Sequence, residues 1–283
     1  MKQTITTLNW HINKPCNMGC HFCYATFADL HQKNLGLTKS KEIISILAES
    51  KQFNKINFAG GEPTLVKYLP ELVQYAKSLG LSTSIITNGT MIDKEYLSKM
   101  QGSLDLIGLS IDSINESTNI KIGRTVNDVP LKEYEYLEKA ELVHNAKIKL
   151  KINTVVNKFN KEETLVNFIN QTETIRWKIL QASKVEGQND AHIQALEITK
   201  FQFDSYVKRN QTTLKANCNL IQEPTDVLLG SYIMLNPNGE LFESSQGVHT
   251  YSQNILEVAI ATALAQINPS YSNFKKRDGD YKI

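Results

Sequence analysis

The chain has 283 residues, 41 % of them hydrophobic, with 14 glycines and 7 prolines; this suits one large or two small cored domains and excludes a disordered or collagen-like polymer. Lysine and arginine number 31 against 29 acidic residues, a net charge of +2. That balance argues against nucleic acid or a membrane surface as the main partner, and the short apolar runs fall well below the ~18 residues that cross a bilayer.

The first residues lack the basic, apolar and small-residue regions of a signal peptide and open directly on a strand-like segment, so a cytoplasmic location is expected. Extended apolar segments follow at 4–12, 55–59, 82–87, 104–111, 147–155 and 175–181. Between them, 38–50, 68–79, 94–100, 131–144 and 161–171 carry helical periodicity, with 201–210 as a sixth helix. Six alternating units predict an α/β fold, a partial parallel (βα)6 barrel over residues 1–210 that is open on one side. Beyond 210 the pattern changes. Two short strands at 231–235 and 240–243 flank Asn236-Pro237-Asn238-Gly239, whose Asn-Gly signals a hairpin, followed by an apolar helix at 255–267 and a polar, basic tail. Residues 211–283 are therefore expected to form a C-terminal extension of hairpin and helix that covers the active site.

Cys16, Cys20 and Cys23 form C-x3-C-x2-C just after the first strand, where parallel barrels carry their active-site loops. The fourth cysteine, Cys218, is far away and is read as a packing residue in a loop. Three thiolates in one loop point to a metal centre in a reducing compartment rather than to disulfides. A structural zinc would need a fourth ligand, for which His11, His21 and His31 are available; an iron-sulfur cluster held by three cysteines leaves one iron open.

The run Cys16-Asn17-Met18-Gly19-Cys20-His21-Phe22-Cys23-Tyr24 resembles the cluster motif of the radical S-adenosylmethionine (SAM) enzymes, aromatic residue included, and Gly60-Gly61-Glu62-Pro63 after the second strand resembles their methionine-binding motif. The resemblance implies a 4Fe-4S cluster on the three cysteines, with SAM on its open iron. It also implies cofactor contacts from Tyr24, from Gly60, Gly61 and Glu62 to the SAM amino group, from Asn88 to the ribose, and from Ser110 and Arg124 to the carboxylate and ribose.

The basic residues add an observation of their own. Lys147 to Asn153 alternates strictly, Arg176-Trp177-Lys178-Ile179 does the same, and Lys55-Ile56-Asn57-Phe58 opens the second strand. With the apolar row under the helices, Lys55, Lys151, Arg176 and Lys178 face the lumen, where unpaired cations require a polyanion, most simply a triphosphate. Pairing with Asp or Glu, or placement at solvated strand ends, is the other outcome.

Within the superfamily, the segments 55–63, 122–124, 151–160, 176–178 and 185–187 resemble the viperin-like enzymes, over roughly residues 8–190. That resemblance implies Lys55, Asn57, Lys151, Arg176 and Lys178 as contacts to a nucleoside triphosphate and Tyr281 as an aromatic residue closing over it. It further implies an electron donor such as flavodoxin or ferredoxin, and conversion of a ribonucleotide to its 3′-deoxy-3′,4′-didehydro analogue in antiviral or antiphage defence. Two features depart from the family: no amphipathic membrane-binding helix precedes the first strand, and the tail carries Gly279-Asp280-Tyr281 where a glycine pair and a longer extension are usual. A radical SAM enzyme acting on a peptide or other small molecule, and a zinc-binding interaction module, are the alternatives.

Overall fold

The computed structural model describes residues 4–281. Ten strands form one sheet: β1 (Thr7–His11), β2 (Lys55–Ala59), β3 (Ser82–Thr87), β4 (Leu106–Ser110), β5 (Lys149–Val156), β6 (Arg176–Gln181), β7 (Asn219–Glu223), β8 (Ile233–Leu235), β9 (Glu240–Glu243) and β10 (Thr250–Asn254). Their order is β10-β9-β8-β1-β2-β3-β4-β5-β6-β7. From β8 through β1 to β7 every pairing is parallel, while β8–β9 and β9–β10 are antiparallel. The expected hairpin thus holds. Strands from the C-terminal third extend both ends of the expected six-stranded core, and the ladder keeps two ends, at β10 and at β7.

Strand alternation decides which residues meet the lumen. On β5, Leu150 and Ile152 are fully buried in the layer beneath the helices, and Lys151 and Asn153 line the cavity inside. The helix Leu37–Glu49 buries Ile43, Ile44 and Leu47, and the helix Glu133–Asn145 buries Tyr136, Ala140 and Val143. Both follow the three-and-four spacing of an amphipathic stripe. Each such side chain contributes ~1.5–3 kcal/mol by leaving water, and together they make the outer core rigid enough to hold polar groups inside.

Four expectations change. The helix expected at 161–171 is confined to Val166–Gln171. The side chain of Asn160 takes the N–H of Asn157 at 2.7 Å and donates to the carbonyls of Asp112 and Val155, tying the preceding residues into a turn. The helix expected at 255–267 shrinks to Ile260–Leu264, because Asn254 Oδ1 accepts the N–H of Leu256 at 2.9 Å and ends β10 in an Asx turn. A helix Glu116–Lys121, capped by Asn115, was not expected. Strand β7 was not expected either, because its polar sequence hides its strand character; Cys218, in the bend just before it, packs into the main core as expected. Among the described residues no helix is long and apolar enough to cross a membrane.

Candidate active site

The loop after β1 and the loop after β2 are zipped together by backbone contacts. The N–H of Gly61 donates to Asn13 O at 2.7 Å, the N–H of Glu62 to Pro15 O at 2.9 Å, and Asn13 Nδ2 to both Pro15 O and Glu62 O. No side chain fits at Gly61, where a Cβ would lie 2.2 Å from Pro15 O and 2.3 Å from Lys14 O. Gly60 has φ +151 and a Cβ there would meet Asn13 Oδ1 at 2.5 Å. Both atoms in the way of Gly61 are backbone, so Gly61→Ala must push the two loops apart. It is expected to cost ~1–3 kcal/mol and to abolish SAM binding, as calorimetry would register; parent-like SAM affinity would show that the close approach is dispensable.

Glu62 is buried and committed on both carboxylate oxygens. One accepts from the Thr64 N–H at 3.0 Å and from the hydroxyls of Thr64 (2.5 Å) and Thr87 (2.7 Å); the other accepts the Asn88 N–H at 2.8 Å. Burial raises its pKa, and these donors oppose the rise. Asn88 donates from Nδ2 to Asn17 Oδ1 at 2.8 Å, so its amide holds the cysteine loop as well as facing the cavity.

Cys16, Cys20 and Cys23 line one wall of that cavity together with Tyr24. Among the described residues no three His, Cys, Asp or Glu side chains converge on one point as a single metal ion would require. Of the zinc ligands considered from sequence, His11 borders the cavity with its ring packed against Tyr24, Phe27 and Phe242, His21 stacks on His192 at 4.5 Å, and His31 is exposed. Three cysteine sulfurs bordering one cavity fit an iron-sulfur centre, which thiolates hold. Arg124 reaches this wall from a deep position. It pairs with buried Asp112 and donates from Nη1 to Cys20 Sγ at 3.4 Å and Met18 Sδ at 3.8 Å. Ser110, at the end of β4, also lines the cavity.

The cavity has a volume of about 580 Å³ and runs from the cysteines down the lumen to the C-terminal tail. Lys55, Lys151 and Lys178 line it and are buried, as is Arg176. Strand alternation therefore brings the four cations to the interior, but most carry partners that the sequence reading left open. Arg176 Nη1 pairs with Asp278 at 2.6 Å, and its Nη2 donates to the carbonyls of Asp278 and Arg277. Lys178 pairs with Glu223 at 2.9 Å and donates to the Tyr232 hydroxyl at 2.5 Å. Lys55 donates to Tyr281 O at 2.8 Å. The Tyr281 ring lies between Lys55 Nζ at 3.7 Å and the Arg176 guanidinium at 3.9 Å, so it stacks on the cations themselves. For Lys151 no ion pair or hydrogen bond is found among the described residues. Burial, then repulsion from Arg176, lowers its pKa to about 7, and burial lowers that of Lys55 to about 8. Asn57 is engaged by its neighbours, donating to Asn9 Oδ1 at 2.7 Å and accepting from Ser84 at 2.8 Å, which leaves Asn9 Nδ2 as the buried donor without a partner.

The sequence reading missed Glu223, Tyr232, Arg277, Asp112 and Asn9. Arg277 stacks on Tyr232 at 3.8 Å and lies 4.0 Å from Glu223. These residues bridge the seam between β7 and β8, which are remote in the ladder, so no local periodicity could have joined them. Asp112, two residues beyond Ser110 on the same strand end, and Asn9, in the polar row of the first strand, had a signal of position.

A parallel half-barrel with three cysteines in the loop after its first strand, clamped by a Gly-Gly-Glu turn after its second, defines a radical SAM protein. The model of the Radical SAM superfamily matches residues 12–171. The chain is 40 % identical over 98 % of its length to the S-adenosylmethionine-dependent nucleotide dehydratase of Lacinutrix mariniflava, spanning 58 % of that protein. It is 39 % identical over 98 % of its length to the enzyme of the same name from Flammeovirga pacifica, spanning 96 % of it. The chain belongs to the S-adenosylmethionine-dependent nucleotide dehydratase family of radical SAM enzymes. Its fold is similar to the crystal structure of Streptococcus suis SuiB bound to precursor peptide SuiA, with a TM-score of 0.72 at 19 % identity, over 96 % of this chain and 67 % of that one.

Proposed function

We propose that the protein dehydrates a ribonucleoside triphosphate to its 3′-deoxy-3′,4′-didehydro analogue, a product without a 3′-hydroxyl that suits antiviral or antiphage defence by terminating RNA chains. The observation that carries this reading is the buried set Lys55, Lys151, Lys178 and Arg277 lining the cavity that also bears the three cysteines, with buried Arg176 stacked behind Tyr281. Cys16, Cys20 and Cys23 would hold the 4Fe-4S cluster, and the turn at Gly60, Gly61 and Glu62, with Tyr24, Asn88, Ser110 and Arg124, would hold SAM. When bound, the cluster and SAM would supply the radical chemistry that activates C4′ of the sugar. The cations contribute by position: a phosphate chain fixed on the floor leaves the sugar in the middle of the lumen, in reach of the upper wall.

Loss of the 3′-hydroxyl as water consumes one proton and one electron, the latter from a donor such as flavodoxin or ferredoxin. Tyr232 lines the cavity and burial keeps its hydroxyl protonated; on turning from Glu223 that hydroxyl would supply the proton, with Lys178, 2.5 Å away, to replace it. Glu223 accepts from Tyr232 at 2.5 Å and fixes the pair. Residues 211–283 would act as a cover, with Arg277 and Tyr281 closing the floor. The test is anaerobic incubation of the reduced, cluster-loaded protein with SAM and CTP, UTP, GTP or ATP in turn, read by mass spectrometry. A nucleotide lighter by one water, formed with 5′-deoxyadenosine, is expected from at least one of them; SAM cleavage with all four nucleotides unchanged would refute the reading.

A further inference from the structure

Arg124 is held with unusual completeness for a residue assigned only to a small-molecule contact. Its backbone N–H donates to Asn119 O at 2.8 Å, its Nε to buried Asp112, and Asp112 is itself fixed by the N–H of Val155 at 2.7 Å. The turn that carries it is pressed onto the cysteine loop. Gly123 has φ +72 and a Cβ there would lie 2.3 Å from Gly19 O, while the N–H of His21 donates to Ile122 O at 3.0 Å. Together they place the guanidinium against Cys20, with the Met18 sulfur beside it. The three sulfurs are not equivalent: Cys16 receives the neutral N–H of Met18 at 3.4 Å, whereas Cys20 receives a cation at the same distance.

We infer that Arg124 tunes the cluster through Cys20: its guanidinium, positioned by Asp112, donates a hydrogen bond to the ligating thiolate and raises the reduction potential of the cluster. A donor on a ligating sulfur withdraws electron density from iron and stabilises the more electron-rich reduced state, and hydrogen bonds to cluster sulfurs are one of the protein's main levers on potential. The effect is strengthened by burial, because a cation beside a sulfur is little screened there. Arg124 thus acts as a tuning residue in addition to any contact it makes with SAM.

The inference rests on the reading that Cys16, Cys20 and Cys23 hold the cluster, and the experiment separates the two. The parent, Arg124→Gln, Arg124→Lys and Asp112→Asn proteins are reconstituted anaerobically with iron and sulfide. Their clusters are titrated without SAM by electron paramagnetic resonance against applied potential, alongside iron content and thermal unfolding. Arg124→Gln is expected to lower the reduced-to-oxidised ratio about tenfold at the parent midpoint, a shift of ~59 mV for a one-electron couple. Arg124→Lys should fall between Gln and the parent, since it keeps the charge but loses the fork geometry. Asp112→Asn frees the guanidinium but also removes a negative charge from beside Cys20, so its midpoint should fall less than that of Gln. A purely structural role would alter melting or iron content without moving the midpoint. An unchanged midpoint in cluster-loaded Arg124→Gln overturns the inference, as does failure of all three folded variants to hold a cluster, since Arg124 would then serve assembly. A parent protein that takes no cluster would instead overturn the assignment of the three cysteines.

Discussion

Replacing Glu223 by glutamine should destabilise the nucleotide-free protein and strengthen its grip on a triphosphate at the same time. Glu223 is fully buried on β7, 2.9 Å from Lys178 and 4.0 Å from Arg277, and accepts from the Tyr232 hydroxyl. Burial alone would raise its pKa, but Lys178 and Arg277 outweigh burial and hold it below the usual carboxylate value. Removing its charge leaves two buried cations without compensation, a loss of ~3–5 kcal/mol where one partner of a buried pair is deleted. For a chain of this size that is a fall in melting temperature of about 10 °C. The same two cations then become available to phosphate. Charge-assisted hydrogen bonds contribute ~1.5–3 kcal/mol each, so tripolyphosphate should bind at least ~10-fold more tightly and raise the melting temperature of the variant by more than that of the parent. Thermal unfolding with and without tripolyphosphate reads both effects. A variant that melts with the parent, or gains no more from the ligand, would show that Glu223 does not neutralise this site.

The second large effect is expected at Lys151, where stability and affinity should move in opposite directions with pH. Its folded pKa of about 7 lies below the ordinary lysine value of 10.5. Between those values the unfolded chain binds more protons than the folded one, so stability rises as pH increases through that window, and the full cost of burying the charge is felt below about 7. A triphosphate needs the charged form, so above the same value binding must take up a proton and affinity must fall. Lys151→Met removes the buried ammonium and keeps the packing of its stem. The variant should be at least as stable as the parent at neutral pH, bind triphosphate ~10–100-fold more weakly, and lose much of the pH dependence of binding. Calorimetry in buffers of different ionisation enthalpy counts the protons taken up. Parent-like affinity for the Met variant would remove Lys151 from the site.

The large features were legible in the sequence because they rest on local spacing. Three cysteines within eight residues and a Gly-Gly-Glu turn after the next strand specify a chemistry before any fold is known, and the parity of β5 and β6 assigns Lys151, Arg176 and Lys178 to the inner face. Boundaries failed where a side chain competed for the backbone, as at Asn160 and Asn254, and β7 was hidden because its buried Glu223 reads as a surface residue.

What the sequence determined by itself was the class of chemistry, the parallel half-barrel and the identity of the inward cations, since alternation and short motifs act over a few residues. The tertiary structure alone decided how those cations are neutralised: Glu223, Tyr232, Arg277, Asp278 and Tyr281 come from segments 45 to 226 residues distant from the cations they meet. Charge pairing in a low-dielectric interior depends on separation in space and not along the chain, so no reading of nearest neighbours could have supplied it.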